Sequence, residues 1–210
     1  APLSETPAAS WSRFPTKRLK TEADHVMLGF MDVCYHDSGA RAAAVLAEHW
    51  LSATACAQQW VDIEQVAAYQ PGAFYLRELP CLLALIQALP KMPNVLVIDG
   101  YVWLDGRQRP GLGAHLHQAL AGKIPVVGIA KTAFEGADCC SLIKSVLRAN
   151  SMRPLYVSCV DCDLQETAAW VQQMHGPHRI PALLKQADTL SRTPWPQAAT
   201  DLQGSQYGTV

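Results

Sequence analysis

Residues 25–35 read HVMLGFMDVCY, an apolar run with polar residues on both sides. A short apolar run of this kind predicts a strand that is buried in a sheet. VLVI at residues 95–98 predicts a central parallel strand, and IPVVGIA at residues 124–130 predicts another buried strand. Asp32 interrupts the first run, although an ionised carboxylate in a buried strand is costly unless something compensates it.

The segment between the first two of these strands is ambiguous. The alanines of residues 41–66 favour a helix by propensity, whereas residues 54–63 alternate as a strand does. We interpret the segment as two antiparallel strands.

Helices are predicted between and after the strands. One opens at Glu78-Leu79-Pro80, where a proline fits because its missing N–H has no partner in a first turn. Further helices are predicted at residues 113–120 and 140–149, after Asp163, and from Pro181 to about Ser191, with a late strand at residues 154–160. Strands that alternate with helices from residue 95 onward indicate a parallel core with helices on both faces. Active sites in such sheets lie beyond the carboxyl ends of the strands.

The composition indicates one α/β domain in a reducing compartment. Half of the 210 residues are apolar, which at this length suffices for a full core without disulfides or a structural metal. Seven cysteines without framework spacing suit the cytosol, and no run is long and apolar enough to span a bilayer. We expect residues 11–194 to form the domain, with loose tails at residues 1–10 and 195–210.

The formal net charge of −1 separates this chain from the strongly basic nucleic-acid binders. Any nucleic-acid surface would therefore be a local patch. Arg13, Lys17, Arg18 and Lys20 are one candidate patch, and a solvated basic segment explains them equally well.

Three more acidic residues stand where a ligand could bind. Asp99 ends the VLVI strand before Gly100, which lets a ligand approach the backbone, although such a pair also forms simple turns. Glu78 lies at the positive end of a predicted helix, as many acidic residues do. Asp188 borders the apolar stripe of the last helix, or is an exposed helix residue.

Carboxylates that converge from separate elements suit Mg²⁺ and Mn²⁺, which take oxygen ligands and keep waters for a substrate. Such a site serves phosphodiester hydrolysis, because the cation activates water and stabilises the leaving oxygen. Taken alone, each of these acids also has an ordinary structural explanation, such as a hydrogen-bonded core aspartate for Asp32.

Several motifs, taken in their order along the chain, resemble those of the endonuclease V family. YQPGAFYLRELP at residues 69–80 resembles the family segment in which a tyrosine wedge precedes Pro-Gly and a metal-binding Arg-Glu. GFMD at residues 29–32, VIDG at residues 97–100 and IPVVGIAK at residues 124–131 resemble the family's opening Gly-Val-Asp strand, its Val-Asp-Gly metal motif and its Pro-Thr-Ile-Gly-Val-Ala-Lys strand. The resemblance covers about residues 25–191.

The resemblance implies an RNase H-like fold with a mixed central sheet, and cleavage of DNA or RNA on the 3′ side of inosine. It implies that Asp32, Glu78 and Asp99 hold Mg²⁺, with Mn²⁺ as a substitute. Asp188 would join this metal site, and Lys131 would stabilise charge on the reacting phosphate. The implied nucleic-acid contacts are Tyr69, which would wedge at the damaged step, and Pro71, Gly72, Arg77, Gly100 and His115. Gly72 and Gly100 would line the pocket of a flipped base through their backbone.

The segment after Asp99 departs from the family pattern. Many members continue with His-Gly and then His-Pro-Arg, whereas this chain reads YVWLDGRQR at residues 101–109 and has Asp105 where a histidine is expected. Substrate preference and rate therefore stay open. Tyr101 and Trp103 offer new stacking surfaces or pack inside the loop.

Three functions compete on this basis. The first is an inosine-directed endonuclease, the second an RNase H-like nuclease of different specificity, and the third a non-catalytic nucleic-acid binding protein on the same scaffold. The presence of Asp32, Glu78, Asp99 and Lys131 argues against the non-catalytic protein. Its expected partner is DNA or RNA containing inosine, without a membrane or an obligate protein partner. We expect the protein to be a cytoplasmic monomer.

Overall fold

A seven-stranded sheet with helices on both faces is formed by residues 26–37, 39–68, 70, 72, 74–134 and 141–194, which a computed structural model describes. The strands are β1 (Leu28–His36), β2 (Gly39–Ala47), β3 (Ala57–Ile63), β4 (Val95–Ile98), β5 (Val126–Ala130), β6 (Ile143–Val146) and β7 (Leu155–Val160). The helices are α1 (Tyr75–Ala88), α2 (Leu112–Ala119), α3 (Leu164–Gln173) and α4 (Ala182–Ser191).

The sheet has the strand order β3-β2-β1-β4-β5-β7-β6. β1, β4 and β5 are parallel neighbours, and the remaining pairs are antiparallel. The expected mixed sheet is thus confirmed, and so are two antiparallel strands within residues 41–66. β2 lies between β1 and β3 and is almost wholly buried, so its small alanines pack in the sheet against their helical propensity.

The alternation of side chains along the central strands divides the core into two layers. Leu28 and Phe30 of β1 face the cluster that contains α3 and α4, as do Val95 and Val97 of β4. The residues between them, such as Met31, face α1 and α2. All four residues of β4 are buried, as a central strand covered on both faces requires.

Two predictions about the second half of the chain are wrong. Residues 143–146 form strand β6 instead of part of a helix, with Ile143 and Val146 buried and Lys144 and Ser145 exposed. The sheet is also not parallel beyond β5, because β7 runs antiparallel to both of its neighbours. The connection between β6 and β7, residues 147–154, is too short for the crossover that a parallel pair needs.

Helix ends agree with the sequence at some positions and differ at others. Asp163 caps α3 by accepting a hydrogen bond from the N–H of Glu166 at 2.8 Å, as predicted. α1 begins at Tyr75, earlier than expected, so Pro80 lies inside the helix and leaves one helical hydrogen bond unmade. No helix of the described ranges is long and apolar enough to cross a membrane. The predicted tails and the basic segment of residues 13–20 lie outside those ranges.

Candidate active site

Three predicted site residues lie on the three parallel strands or directly after them: Asp32 in the middle of β1, where the pairing with β4 ends, Asp99 after β4 and Lys131 after β5. β1 and β4 are paired in register up to Met31 and Ile98, so Asp32 and Asp99 are the next residues on the two strands. Lys131 directly follows β5, which is the other neighbour of β4. The parallel order of these strands therefore brings together residues that are far apart in the sequence.

Lys131 and Asp99 form an ion pair. The Lys131 Nζ donates to Asp99 Oδ2 at 2.5 Å, and both side chains are partly exposed. Burial lowers the pKa of Lys131, but the hydrogen bond to Asp99 and the charges of Asp99, Asp188 and Asp32 outweigh it, so that the pKa is raised. Lys131 is thus a permanent cation at this edge of the sheet.

Glu78 reaches the same edge from the first turn of α1. Only 7% of the residue is exposed. Burial raises its pKa from the ordinary 4.5 to about 8, and the charges of Asp32 and Asp99 add to the increase. This carboxyl group is held close to other negative charge, and no cation among the described residues offsets the increase in its pKa.

Asp188 reaches the site from α4 on the opposite face of the sheet, and it is buried, not exposed. Burial would raise its pKa, but hydrogen bonds from Lys185 Nζ at 2.5 Å and Arg192 Nε at 2.9 Å lower it overall. Asp188 therefore stays ionised within a local network of two cations.

Ser191 is a site residue that the sequence analysis missed. Its hydroxyl, on the last residue of α4, lies 2.5 Å from Asp32 Oδ2 and 2.9 Å from the carbonyl oxygen of Asp188. The residue is completely buried. A serine at a helix end carries no signal of such a role, and only the packing of α4 on β1 reveals it.

Arg41 holds the end of α4 in place. Its guanidinium donates to both carboxylate oxygens of Asp62 on β3, at 2.5 and 2.8 Å. It also donates to the carbonyl oxygen of Thr193 at 3.0 Å and to the Thr193 hydroxyl at 2.8 Å. The chain that follows α4 is thereby tied to β2, and Ser191 stays against Asp32.

The carboxylates around Asp32 interact electrostatically. Burial raises the pKa of Asp32, the hydrogen bond from Ser191 lowers it, and the charges of Asp99 and Asp188 raise it again, for a net increase. Within the described part of the chain, no three acidic, histidine or cysteine side chains are already grouped as a metal-ligand set. Three of the four acids have oxygens that already accept hydrogen bonds: Asp32 from Ser191, Asp99 from Lys131, and Asp188 from Lys185 and Arg192.

A cavity of about 610 Å³ opens beside Glu78 and Asp99. Its walls are largely apolar and aromatic, with backbone from several glycines. Besides these two acids, the lining includes Gly72, Gly100, Tyr101, Arg109, His115 and Phe134. A cavity of this size with aromatic walls suits a planar ring such as a nucleobase.

The predicted nucleic-acid contacts fall into three groups. Gly72, Gly100 and His115 line the cavity, where His115 is stacked on Tyr75 at 3.7 Å between ring centroids. Arg77 does not line it and instead covers the ring of Tyr35 at 3.8 Å. Tyr69 and Pro71 lie outside the described residues.

Gly128 on β5 explains how the backbone at Gly100 comes so close to the sheet. A Cβ at position 128 would lie 2.5 Å from the Gly100 carbonyl oxygen and 2.8 Å from the Val102 nitrogen. Gly100 itself has a φ of +143°, which a side chain would strain, and open space where a Cβ would point. The two glycines allow the segment after Asp99 to pass close over β5.

Relatives and solved structures match most of this chain. A family model described as Endonuclease V matches residues 13–189. Endonuclease V of Thermococcus kodakarensis is 32% identical over 178 residues, which are 83% of either chain. Endonuclease V of Rhodospirillum centenum is 30% identical over 158 residues, 65% of this chain and 64% of the relative, so this chain spans somewhat less than two thirds of that relative. Endonuclease V of Ciona intestinalis has a similar structure, with a TM-score of 0.69 and 21% identity over 82% of this chain and 86% of the other.

The mixed sheet with helices on both faces, together with its similarity to the Ciona intestinalis structure, defines an RNase H-like fold. The chain belongs to the Endonuclease V family. The family predicted from the sequence motifs is therefore confirmed.

Proposed function

We propose that this protein is a metal-dependent endonuclease that hydrolyses a phosphodiester bond on the 3′ side of inosine in DNA or RNA. The observation that carries the proposal is that Asp32 within β1, Asp99 directly after β4 and Lys131 directly after β5 lie on adjacent parallel strands, with Glu78 and a base-sized cavity beside them. Family membership supports it, as does the Ciona intestinalis protein, whose crystal structure contains a 23mer DNA with an inosine followed by a ribo-adenosine.

The donor set fits a hard divalent cation. Asp32, Glu78, Asp99 and Asp188 offer only carboxylate oxygens, and in the part of the chain that the structure describes no positive charge lowers the pKa of Glu78. We therefore assign Mg²⁺, or Mn²⁺ in its place, to Asp32, Glu78 and Asp99, with Asp188 as a further ligand. A bound cation would supply activation of the attacking water and stabilisation of the leaving oxygen. Its binding would compete with the hydrogen bonds from Ser191 and Lys131.

The other residues act on the substrate directly. Lys131 stays protonated, so its ammonium group can neutralise charge that develops on a phosphate oxygen next to Asp99. Gly100 presents backbone without a side chain to the cavity, which leaves room for a base that has left the stack. Tyr69 is proposed as the wedge, and Pro71, Gly72, Arg77 and His115 as further nucleic-acid contacts.

Cleavage of labelled oligonucleotides tests this function. DNA and RNA strands with and without a single inosine are incubated with Mg²⁺ or Mn²⁺, and the cut position is mapped. We expect cleavage only on the 3′ side of inosine, and loss of at least about a hundredfold in rate for Asp32→Asn, since an electrostatic or metal contact to the transition state is removed. Asp37→Asn is the matched control, because Asp37 lies exposed just after β1.

The outcomes separate the competing functions. Cleavage that ignores inosine would favour an RNase H-like nuclease of different specificity. Binding without cleavage would favour a non-catalytic nucleic-acid binding protein. Cleavage that persists in Asp32→Asn would contradict the metal assignment.

A further inference from the structure

The segment after Asp99, where this chain departs from the family pattern, forms a closed loop. Trp103 and Pro110 are bridged, and the N–H of Leu104 donates to the carbonyl oxygen of Arg109 at 2.9 Å. The Asp105 carboxylate accepts hydrogen bonds from the N–H groups of Arg107 at 2.8 Å and Arg109 at 3.1 Å. These two hydrogen bonds lower the pKa of Asp105, which therefore stays ionised. The loop is thus internally organised around Asp105.

The loop holds the Arg109 side chain at the rim of the cavity. Its guanidinium carbon lies 5.0 Å from the centroid of the Phe134 ring, within range of a cation–π contact. Its Nε lies 3.6 Å from Asp105 Oδ2, and about half of the side chain is exposed. Both Arg109 and Phe134 line the cavity that contains Glu78 and Asp99.

Phe134 is held in turn by Tyr101. The two rings meet edge to face with centroids 6.3 Å apart. The Tyr101 hydroxyl donates to the carbonyl oxygen of Thr132 at 2.8 Å and accepts from the N–H of Phe134 at 3.2 Å. The aromatic wall below Arg109 is therefore tied to the strand end that carries Lys131.

A base is the ligand that this arrangement suits, and not a second phosphate. Lys131 is paired with Asp99, and the proposed function assigns this lysine to the reacting phosphate. Arg109 instead adjoins the aromatic wall of the cavity, where a base can stack on Phe134 and present its edge to the guanidinium. We infer that Arg109 is a specificity-determining residue that recognises the O6 and N7 acceptors of a 6-oxopurine in the cavity.

The inference rests on the proposed function and adds a residue that selects the base. A guanidinium offers two parallel donors, and a purine with oxygen at position 6 offers two adjacent acceptors on its O6/N7 edge. Adenine offers an amino donor at position 6, which repels such a fork. Arg109 would thereby favour hypoxanthine over adenine. The histidines that many family members have in this segment would not be needed for this preference.

An N7-deleted substrate tests the contact. Cleavage rates at limiting substrate are compared for strands that contain inosine or 7-deazainosine, with wild type, Arg109→Ala and Arg109→Lys. We expect wild type to prefer inosine by about tenfold, and both variants to lose this preference, because neither retains the two-donor fork. Arg107→Ala is the matched control: Arg107 is exposed on the same loop, does not line the cavity and should keep the wild-type preference.

Other results would overturn the inference. If Arg109→Ala slows both substrates by the same factor, so that the tenfold preference remains, Arg109 contacts a phosphate and not the base. If Arg109→Ala changes neither rate, Arg109 does not contact the substrate and another residue recognises N7. Binding of the same strands, followed by fluorescence anisotropy without divalent cations, separates this inference from the proposed function. N7-dependent binding that requires Arg109 would support the role of Arg109 even if wild type cleaved nothing, and equal binding of both strands would refute it.

Discussion

Glu78→Gln is expected to stabilise the metal-free protein at neutral and alkaline pH. Glu78 is 7% exposed, and burial together with Asp32 and Asp99 raises its pKa from 4.5 to about 8. At about 1.36 kcal/mol per pH unit, a shift of this size corresponds to about 4 to 5 kcal/mol, of which about 3 kcal/mol is already present at pH 7. Glutamine has nearly the same shape and cannot ionise, so this destabilisation should vanish.

The sign of the pH dependence follows from the direction of the shift. Below pH 4.5 the carboxyl is protonated in both the folded and the unfolded chain, and it makes no difference to the free energy of unfolding. As the pH rises toward about 8, the unfolded chain releases the proton and the folded chain keeps it, so the wild type loses stability. Above about pH 8 the loss levels off, because both states are ionised.

Urea unfolding at several pH values between 5 and 9, in the presence of a chelator, measures this effect. The free energy of unfolding of wild type should fall more steeply with pH than that of Glu78→Gln, at equal m-values. Glu48→Gln is the control, because Glu48 is exposed. Equal slopes for wild type and Glu78→Gln would refute the claim that Glu78 is an uncompensated buried acid.

The same experiment with Mg²⁺ connects this stability to the proposed metal site. At a concentration of one hundred times the dissociation constant, a ligand of the folded state adds about 2.7 kcal/mol to the free energy of unfolding. We expect such a gain for wild type and a much smaller one for Glu78→Gln. An equal gain in both would show that Mg²⁺ binds elsewhere.

Three further substitutions test the surroundings of the site. Ser191→Ala should lower the stability by about 1 kcal/mol and strengthen Mg²⁺ binding, because the Asp32 oxygen that the hydroxyl holds becomes available to the cation; calorimetric titration with Mg²⁺ that gives a wild-type or weaker affinity would contradict this competition. Gly128→Ala should lower the stability by about 1 to 3 kcal/mol and reduce cleavage, since the new methyl group displaces the backbone at Gly100; wild-type values in urea unfolding and in the inosine assay would exclude that contact. Arg41→Ala should lower the stability by about 2 to 3 kcal/mol, discounted for the partial exposure of its aspartate partner, and a change within about 0.5 kcal/mol in urea unfolding would show that the ion pair is unimportant.

The local pattern of apolar residues was sufficient to predict the strands that contain or precede Asp32, Asp99 and Lys131. Each follows or interrupts an apolar run whose burial is evident from its own residues. The predicted helix start placed Glu78 at the positive end of a helix, and the structure has Glu78 in the first turn of α1. Residues 143–146 show the limit of this approach, because their strand is defined by pairing with β7 and by no pattern of their own.

The sequence by itself determined the order of most strands and helices, the acidic residues that interrupt or follow them, and the family. These features depend on residues that are neighbours along the chain. Only the tertiary structure decided which oxygens are compensated: Ser191 on Asp32, Lys131 on Asp99, and none of these donors on Glu78. The tertiary structure also brings the Arg109 guanidinium close to the Phe134 ring, so that both side chains line the cavity. Hydrogen bonds and desolvation act between residues that only packing brings within a few ångströms, and the local pattern of a sequence does not contain those distances.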